Sequence, residues 1–145
     1  VAAIDAVGVS VLSEMVDIAN VRLKFASGCV ANITASRVTG KTLQKIRFFG
    51  IDGYHAVDYN KRDLVSLSKK ISDSGRLDIF SNAVEVCQHD PLEAEIRSFV
   101  AAVQNGARPV VSGEDGRNAL DLALNIAREI KKAKDEILLS IQHGK

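Results

Sequence analysis

Cysteine is scarce in this sequence, and long apolar runs are missing from it. The two cysteines, Cys29 and Cys87, do not have the spacing of a zinc or redox motif. So sparse a pair argues against a disulfide framework, and we expect both to be buried free thiols of a cytoplasmic protein. No apolar stretch approaches the roughly 18 residues that span a bilayer. The amino terminus also lacks the basic and apolar segments of a secretory signal peptide.

An excess of one charge is absent as well. The chain has 19 basic and 18 acidic residues, and both signs are mixed along it. Because a nucleic-acid or membrane-surface partner would need a clustered basic face, the composition indicates neither. With 145 residues, 46% hydrophobic and 26% charged, the chain is typical of one soluble globular domain.

The first part of the chain, to about Cys87, has the patterns of β-strands. Residues 18–25 alternate between apolar and polar side chains, and residues 29–38 return after a Ser-Gly turn as the second arm of a hairpin. The Asp52-Gly53 pair is a strong hairpin signal. Strands are predicted at residues 1–11, 18–25, 29–38, 43–49, 54–59, 64–68 and 77–87, with Leu43, Ile46 and Phe48 directed inward.

The hydrophobic period changes at Asp90, where a helix is predicted to begin. Asp90 is a favourable N-cap, a proline takes the first helical position, and Asn105-Gly106 supplies the stop. Residues 112–115 form a capping box that opens a longer second helix. Its predicted inward stripe consists of Leu120, Ala123, Ala127, Ile130, Ile137 and Ile141.

Strands followed by helices indicate an α+β fold. We predict a largely antiparallel, open-faced sheet of about six strands with the two carboxy-terminal helices on one face. Exposed apolar patches seldom stay exposed, so the open face predicts a homodimer or tetramer. The chain starts at Val1, inside a predicted strand, and we therefore expect it to be a piece of a longer protein.

Three stretches together resemble the carboxy-terminal domain of the glucose–fructose oxidoreductase / inositol dehydrogenase / MocA family. Residues 17–37 are similar to its hairpin, residues 46–50 to the strand that follows, and residues 90–120 to its closing pair of helices with an N-G-x-x-P motif. Residues 38–47 look most like bacterial members that oxidise the 3-hydroxyl of UDP-N-acetylglucosamine-type nucleotide sugars.

The resemblance implies an NAD(P)-dependent oxidoreductase acting on a sugar or nucleotide sugar. Family members carry an amino-terminal Rossmann domain with a glycine-rich turn, a Glu-Lys-Pro motif with the catalytic lysine, and an Asp-x-x-x-His motif. None of these motifs occurs here, and Gly50 and Gly53 fit a hairpin turn better than a phosphate loop. Residues 1–145 are thus expected to be a single substrate-binding and dimerisation domain, inactive alone. It would hold neither cofactor nor catalytic residue, with NAD or NADP bound by the parent protein.

By position, the resemblance nominates a substrate wall at the end of the second hairpin arm and in the following loop. Hydroxyl groups suit a sugar, and a guanidinium or ammonium group suits a diphosphate. The alternative is that Arg37 and Lys41 are solvated strand-end charges. The nominated residues are Ser36, Arg37, Thr39, Lys41 and Thr42.

Two alternatives stay open. The loop reads Thr-Gly-Lys-Thr where inositol-type members have Tyr-Gly-Tyr-Asp, which disfavours a free cyclitol substrate and favours an anionic sugar.

The histidines His55, His89 and His143 match no family motif and are interpreted as structural, and no metal site is predicted. The whole chain could also be a non-enzymatic α+β dimerisation or small-ligand-binding module.

Overall fold

The computed structural model describes residues 1–71, 76–82, 84–86 and 90–143, with the side chains of residue 77 and residues 137–143 left aside. It confirms the α+β class, with antiparallel strands first and helices last. Among the described residues there are seven strands, one at each of the seven predicted places, and they form two sheets instead of the single predicted sheet of about six strands. The elements are β1 (Ala3–Val9), β2 (Ile18–Lys24), β3 (Val30–Ser36), β4 (Lys45–Phe49), β5 (Gly53–Asp58), β6 (Asp63–Ile71), β7 (Leu77–Asn82), α1 (Pro91–Gln104) and α2 (Gly113–His143).

The chain divides into two compact units. The first consists of Val1–Gly40 with Gly106–Lys145 and contains the sheet β1-β2-β3 and helix α2. The second consists of residues 41–105 and contains the sheet β4-β5-β6-β7 and helix α1.

In the first unit, one face of the sheet packs against α2. Antiparallel pairing places Ala6 opposite Val21 on that face, and Leu23, two residues on, is only 2% exposed. Ile130 of α2 completes this buried cluster. Gly8 lies on the same face, where an added Cβ would lie 2.6 Å from Cγ2 of Ile130. The helix therefore approaches β1 more closely there than any side chain on residue 8 would allow.

The inward stripe of α2 differs from the predicted one. Ile130 is buried as predicted, but Leu120, Ala123 and Ala127 are exposed. The helix carries a second apolar stripe at i, i+4 and i+8, formed by Leu122, Ile126 and Ile130, and this stripe packs against the sheet. Ile137 and Ile141 lie outside the residues whose side chains are described.

In the second unit, four strands follow one another as a meander. The backbone N–H of Gly50 donates to the carbonyl oxygen of Gly53, closing the predicted hairpin between β4 and β5. A Cβ on Gly53 would overlap the carbonyl oxygen of Leu67 on β6, so this turn needs glycine. The predicted inward positions are exposed instead, at 70% for Leu43, 38% for Ile46 and 53% for Phe48. Ile46 and Phe48 do share one face of β4, whereas Leu43 precedes the strand. Alternation along a strand does not reveal whether another layer covers the face.

Helix α1 confirms the predicted boundaries. The Asp90 carboxylate accepts the backbone N–H groups of Leu92 and Glu93, at 2.9 and 3.1 Å, which satisfies two donors of the first turn. The helix ends at Gln104, directly before the predicted Asn-Gly stop. Its apolar stripe is 44–64% exposed and consists of Leu92, Ile96, Phe99, Val100 and Val103.

Candidate substrate site

The nominated segment begins at the last residue of β3. Ser36 pairs with Ile18 of β2, and its hydroxyl oxygen accepts the backbone N–H of Val38 at 3.3 Å. Because Ile18 and Ser36 are the final pair of the ladder, Asp17 and Arg37 are the next residues on each strand. The backbone N–H of Arg37 donates to the carbonyl oxygen of Asp17 at 3.0 Å, which continues the pairing by one step.

The guanidinium of Arg37 is held along one edge. Its Nε donates to Oδ1 of Asp17 at 2.6 Å, and its Nη2 donates to the Ser13 hydroxyl at 3.1 Å and to the Val16 carbonyl at 3.4 Å. The Arg37 side chain is 50% exposed, while the side chain of Asp17 is 1% exposed. Arg37 is therefore a fixed cation at the surface and not a freely solvated one.

Asp17 organises the loop that joins β1 to β2. Its Oδ2 accepts the backbone N–H groups of Val11, Leu12 and Ser13 at 2.7, 2.6 and 3.1 Å. Oδ1 accepts the Ser13 hydroxyl at 3.2 Å in addition to Arg37. The backbone N–H groups of Leu12 and Val11 hold the pKa of this carboxyl far below its usual range, and Arg37 lowers that pKa further against the opposing effect of burial.

Sequence reasoning does not identify the hydrogen bonds of Asp17, because there this residue is only one position of the family pattern. The signal that could have found them is the hairpin register. Once Ile18 is paired with Ser36, an acidic and a basic residue flank the end of the ladder on neighbouring strands. Ser13 and Val16 lie in an irregular loop, and no sequence period marks them.

The other nominated residues are exposed and occupy different surroundings. Thr39 belongs to the first unit, whereas Lys41 and Thr42 begin the second. The Thr42 carbonyl accepts the side-chain amide of Asn60 at 2.8 Å. The structure thus brings Ser36 and Arg37 together with the Asp17 loop, and it fixes the Thr42 backbone against a turn of the second unit.

An ion pair between a half-exposed lysine and a buried aspartate anchors the chain just after this loop. Lys45 Nζ lies 2.9 Å from Oδ2 of Asp58, whose Oδ1 accepts the backbone N–H of Lys61 at 3.1 Å. Lys45 lowers the pKa of the Asp58 carboxyl, with Lys61 contributing. The backbone N–H of Tyr59 also donates to the Gln44 carbonyl at 2.9 Å. The segment that follows Lys41 is therefore tied to the β5–β6 turn.

The remaining reactive side chains form no further site in the described residues. His55 is an exposed strand residue of β5, as predicted. Cys29 is exposed in the β2–β3 turn, so the prediction of a buried thiol is wrong for it, since a tight turn leaves its residues outside the core. Cys87 and His89 lie outside the described residues, as does the side chain of His143.

Across the described ranges, no three His, Cys, Asp or Glu side chains converge as metal ligands. Gly50 and Gly53 join two strands, and no described strand leads through a glycine-rich turn into a helix. The described residues therefore contain no turn of the kind that holds a pyrophosphate in a Rossmann fold. None of the described helices combines the length and the apolarity that crossing a membrane requires.

No protein-family model matches the chain. It is 32% identical over 123 residues to UDP-N-acetylglucosamine 3-dehydrogenase of Acidithiobacillus ferrooxidans, a match that covers 83% of this chain and 39% of that protein. It is 33% identical over 121 residues to myo-inositol 2-dehydrogenase of Thermotoga maritima, covering 82% of this chain and 35% of the relative.

Solved structures agree with these relatives. The Acidithiobacillus enzyme superposes with a TM-score of 0.81 and 27% identity over 90% of this chain and 41% of its own. An aldose–aldose oxidoreductase of Caulobacter crescentus shares the fold, with a TM-score of 0.69, 20% identity, and coverage of 90% of this chain and 39% of its own. The chain thus spans between 35% and 41% of the length of these proteins. Because the two relatives match more than 80% of this chain at 32% and 33% identity, it belongs to the glucose–fructose oxidoreductase / inositol dehydrogenase / MocA family, in which it corresponds to the carboxy-terminal domain.

Proposed function

We propose that residues 1–145 form the substrate-binding and oligomerisation domain of an NAD(P)-dependent oxidoreductase that acts on a sugar, with a nucleotide sugar as the preferred class. The observation that carries the proposal is the fixed, half-exposed guanidinium of Arg37 at the end of β3. It lies at the position that the family resemblance assigned to the substrate wall. NAD or NADP would bind to a Rossmann domain elsewhere in the parent protein, and the isolated chain would be inactive.

The substrate wall would consist of Ser36, Arg37, Thr39, Lys41 and Thr42. Their hydroxyl groups can exchange hydrogen bonds with sugar hydroxyls, and Lys41 adds a cation suited to a phosphate oxygen. Two observations support a nucleotide sugar. The relative from Acidithiobacillus is named for such a substrate, and the Thr-Gly-Lys-Thr sequence of the loop adds a positive charge. The scarcity of cysteine supports a cytoplasmic location.

The oligomer interface would be the face of the second sheet that carries four exposed apolar side chains beside Arg47 and Lys69. Phe49, Val65, Ile71 and Ile79 share this face by their register, and they are 78%, 41%, 75% and 72% exposed. A second copy of the chain would cover these side chains, because large exposed apolar patches seldom persist in soluble proteins. Sedimentation should give a dimer or tetramer, and Ile79→Asp should shift it toward the monomer. A monomer at all concentrations for the unmodified protein would refute this part of the proposal.

The activity is tested with the parent protein that carries this chain. Reduction of NAD or NADP is followed by nicotinamide absorbance with UDP-N-acetylglucosamine, myo-inositol and simple aldoses as substrates. Arg37→Ala should raise KM for the preferred sugar by roughly 10-fold or more, since a hydrogen bond to a charged group contributes about 1.5–3 kcal/mol. The KM for the dinucleotide should not change.

Arg22→Ala is the matched control. Arg22 is an exposed arginine of β2 in the same unit, and it donates to Asn32 at 3.2 Å on the sheet face away from α2. Its removal should leave both KM values unchanged. If the parent protein oxidises none of the sugars, the oxidoreductase assignment falls, and the non-enzymatic dimerisation or small-ligand-binding module replaces it.

A further inference from the structure

The hydrogen bonds of Arg37 determine which of its donors can reach a substrate. A guanidinium binds a phosphate or carboxylate with two parallel N–H groups, taken either from Nε and Nη2 or from Nη1 and Nη2. Both of these forks need Nη2. In this structure Nη2 donates to Ser13 and Val16, and Nε donates to Asp17. Among the described hydrogen bonds of Arg37, none uses Nη1.

The charge of Arg37 is also balanced locally. The Asp17 carboxylate lies 2.6 Å from Nε, and the three backbone N–H groups of the loop keep that carboxylate ionised. The pair therefore has little net charge to offer to a diphosphate. Its Nη1 group remains a strong donor in a fixed position, and that suits a single oxygen atom.

We infer that Asp17 is a positioning residue that fixes Arg37 with only Nη1 available, so that Arg37 contacts one oxygen of the sugar itself, a hydroxyl or a carbonyl, and does not clamp the diphosphate. The inference rests on the proposed function and makes it more specific. It assigns recognition of the sugar ring to Arg37 and leaves the diphosphate to other groups. Ser13 supports the same orientation through its hydroxyl oxygen.

The substrate test compares a nucleotide sugar with the corresponding free sugar in the parent enzyme. Arg37→Ala should raise KM by a similar factor for both, roughly 10-fold or more, and leave kcat nearly unchanged. The dependence of KM on salt should be the same in the variant and the unmodified enzyme. A KM increase confined to the nucleotide sugar, with a weakened salt dependence, would show a diphosphate clamp and overturn the inference.

A double-mutant cycle tests the role of Asp17. Asp17→Asn should raise KM in the unmodified enzyme but should have no further effect on KM in the Arg37→Ala background, although it lowers the melting temperature in both. If KM in the double variant rises by the product of the two single-variant factors, Asp17 does not act through Arg37. Because Asp17→Asn could prevent folding, Ser13→Ala provides a milder variant. It removes one hydrogen-bond acceptor of Nη2 and should raise KM by about 2- to 10-fold, again only when Arg37 is present.

Two failures are distinguishable. If the parent protein oxidises no sugar, the proposed function falls and the inference falls with it. If it oxidises a sugar and Arg37→Ala leaves every KM unchanged, the oxidoreductase assignment stands, and Arg37 is only the clamp of the β1–β2 loop. Arg37→Lys provides a last comparison, since an ammonium group paired with Asp17 has no fixed second donor. It should therefore resemble Arg37→Ala in KM, and a KM equal to that of the unmodified enzyme would overturn the inference.

Discussion

Replacing Ile130 with alanine tests how α2 is seated on the first sheet. Ile130 is 5% exposed and lies in one cluster with Ala6, Val21 and Leu23. Each buried methylene-sized group contributes roughly 0.8 kcal/mol, and the cavity that remains adds to the cost. We expect the free energy of unfolding to fall by about 3 kcal/mol, within the range of roughly 2–5 kcal/mol typical of such truncations.

Leu120→Ala is the matched control on the same helix. Leu120 is 61% exposed, and its truncation should change the free energy of unfolding by no more than about 0.5 kcal/mol. Urea titration followed by circular dichroism measures both variants. In a thermal melt, Ile130→Ala should lower the midpoint by about 10 °C for a chain of this size. Equal effects of the two substitutions would mean that α2 is rotated from the orientation described and would refute the assignment of its buried stripe.

Three further predictions concern single positions. Asp17→Asn should make stability less dependent on acid, because the native carboxyl has a pKa below its unfolded value of about 3.9. The carboxylate of Asp17 contributes its full share of the stability above the unfolded pKa, and this share is lost as the pH falls toward the native pKa. Urea midpoints measured from neutral to strongly acidic pH should therefore fall less steeply with pH in the variant than in the unmodified protein. Gly8→Ala should cost about 1–3 kcal/mol from overpacking against Ile130, whereas Gly40→Ala, with no atom within 4 Å of the added carbon, should not destabilise the fold. Asp90→Ala should cost about 0.5–2 kcal/mol in the α1 cap, seen as lost helix signal, and an unchanged signal would contradict the capping role.

The parts of the fold that local chemistry controls could be predicted from the sequence. The start of α1 depends on Asp90 and the proline after it, and its end depends on an Asn-Gly pair, all within a few residues of the boundary. The hairpin between β4 and β5 likewise depends on its own turn. These features need no knowledge of distant residues, and the structure confirms them.

The parts that depend on distant residues were predicted less well. Helix α2 has two apolar stripes, and the choice between them is made by the small residues of the sheet, Ala6 and Gly8, that lie more than a hundred positions earlier in the chain. The Asp17–Arg37 pair joins residues 20 positions apart. Arg37 was nominated for its chemistry and its place in the family pattern, but its partner becomes visible only through the strand register.

Helix α1 has a thermodynamic consequence of its own. It has 14 residues, and isolated helices of about 12–15 residues are marginal in water. Five of its apolar side chains are 44–64% exposed, so packing within the described residues contributes little to holding it. Any surface that covers this stripe therefore stabilises the helix at the same time as it binds. Folding of α1 and its association with that surface are therefore linked equilibria. The helix content of this segment should rise with the fraction of molecules in which the surface covers α1.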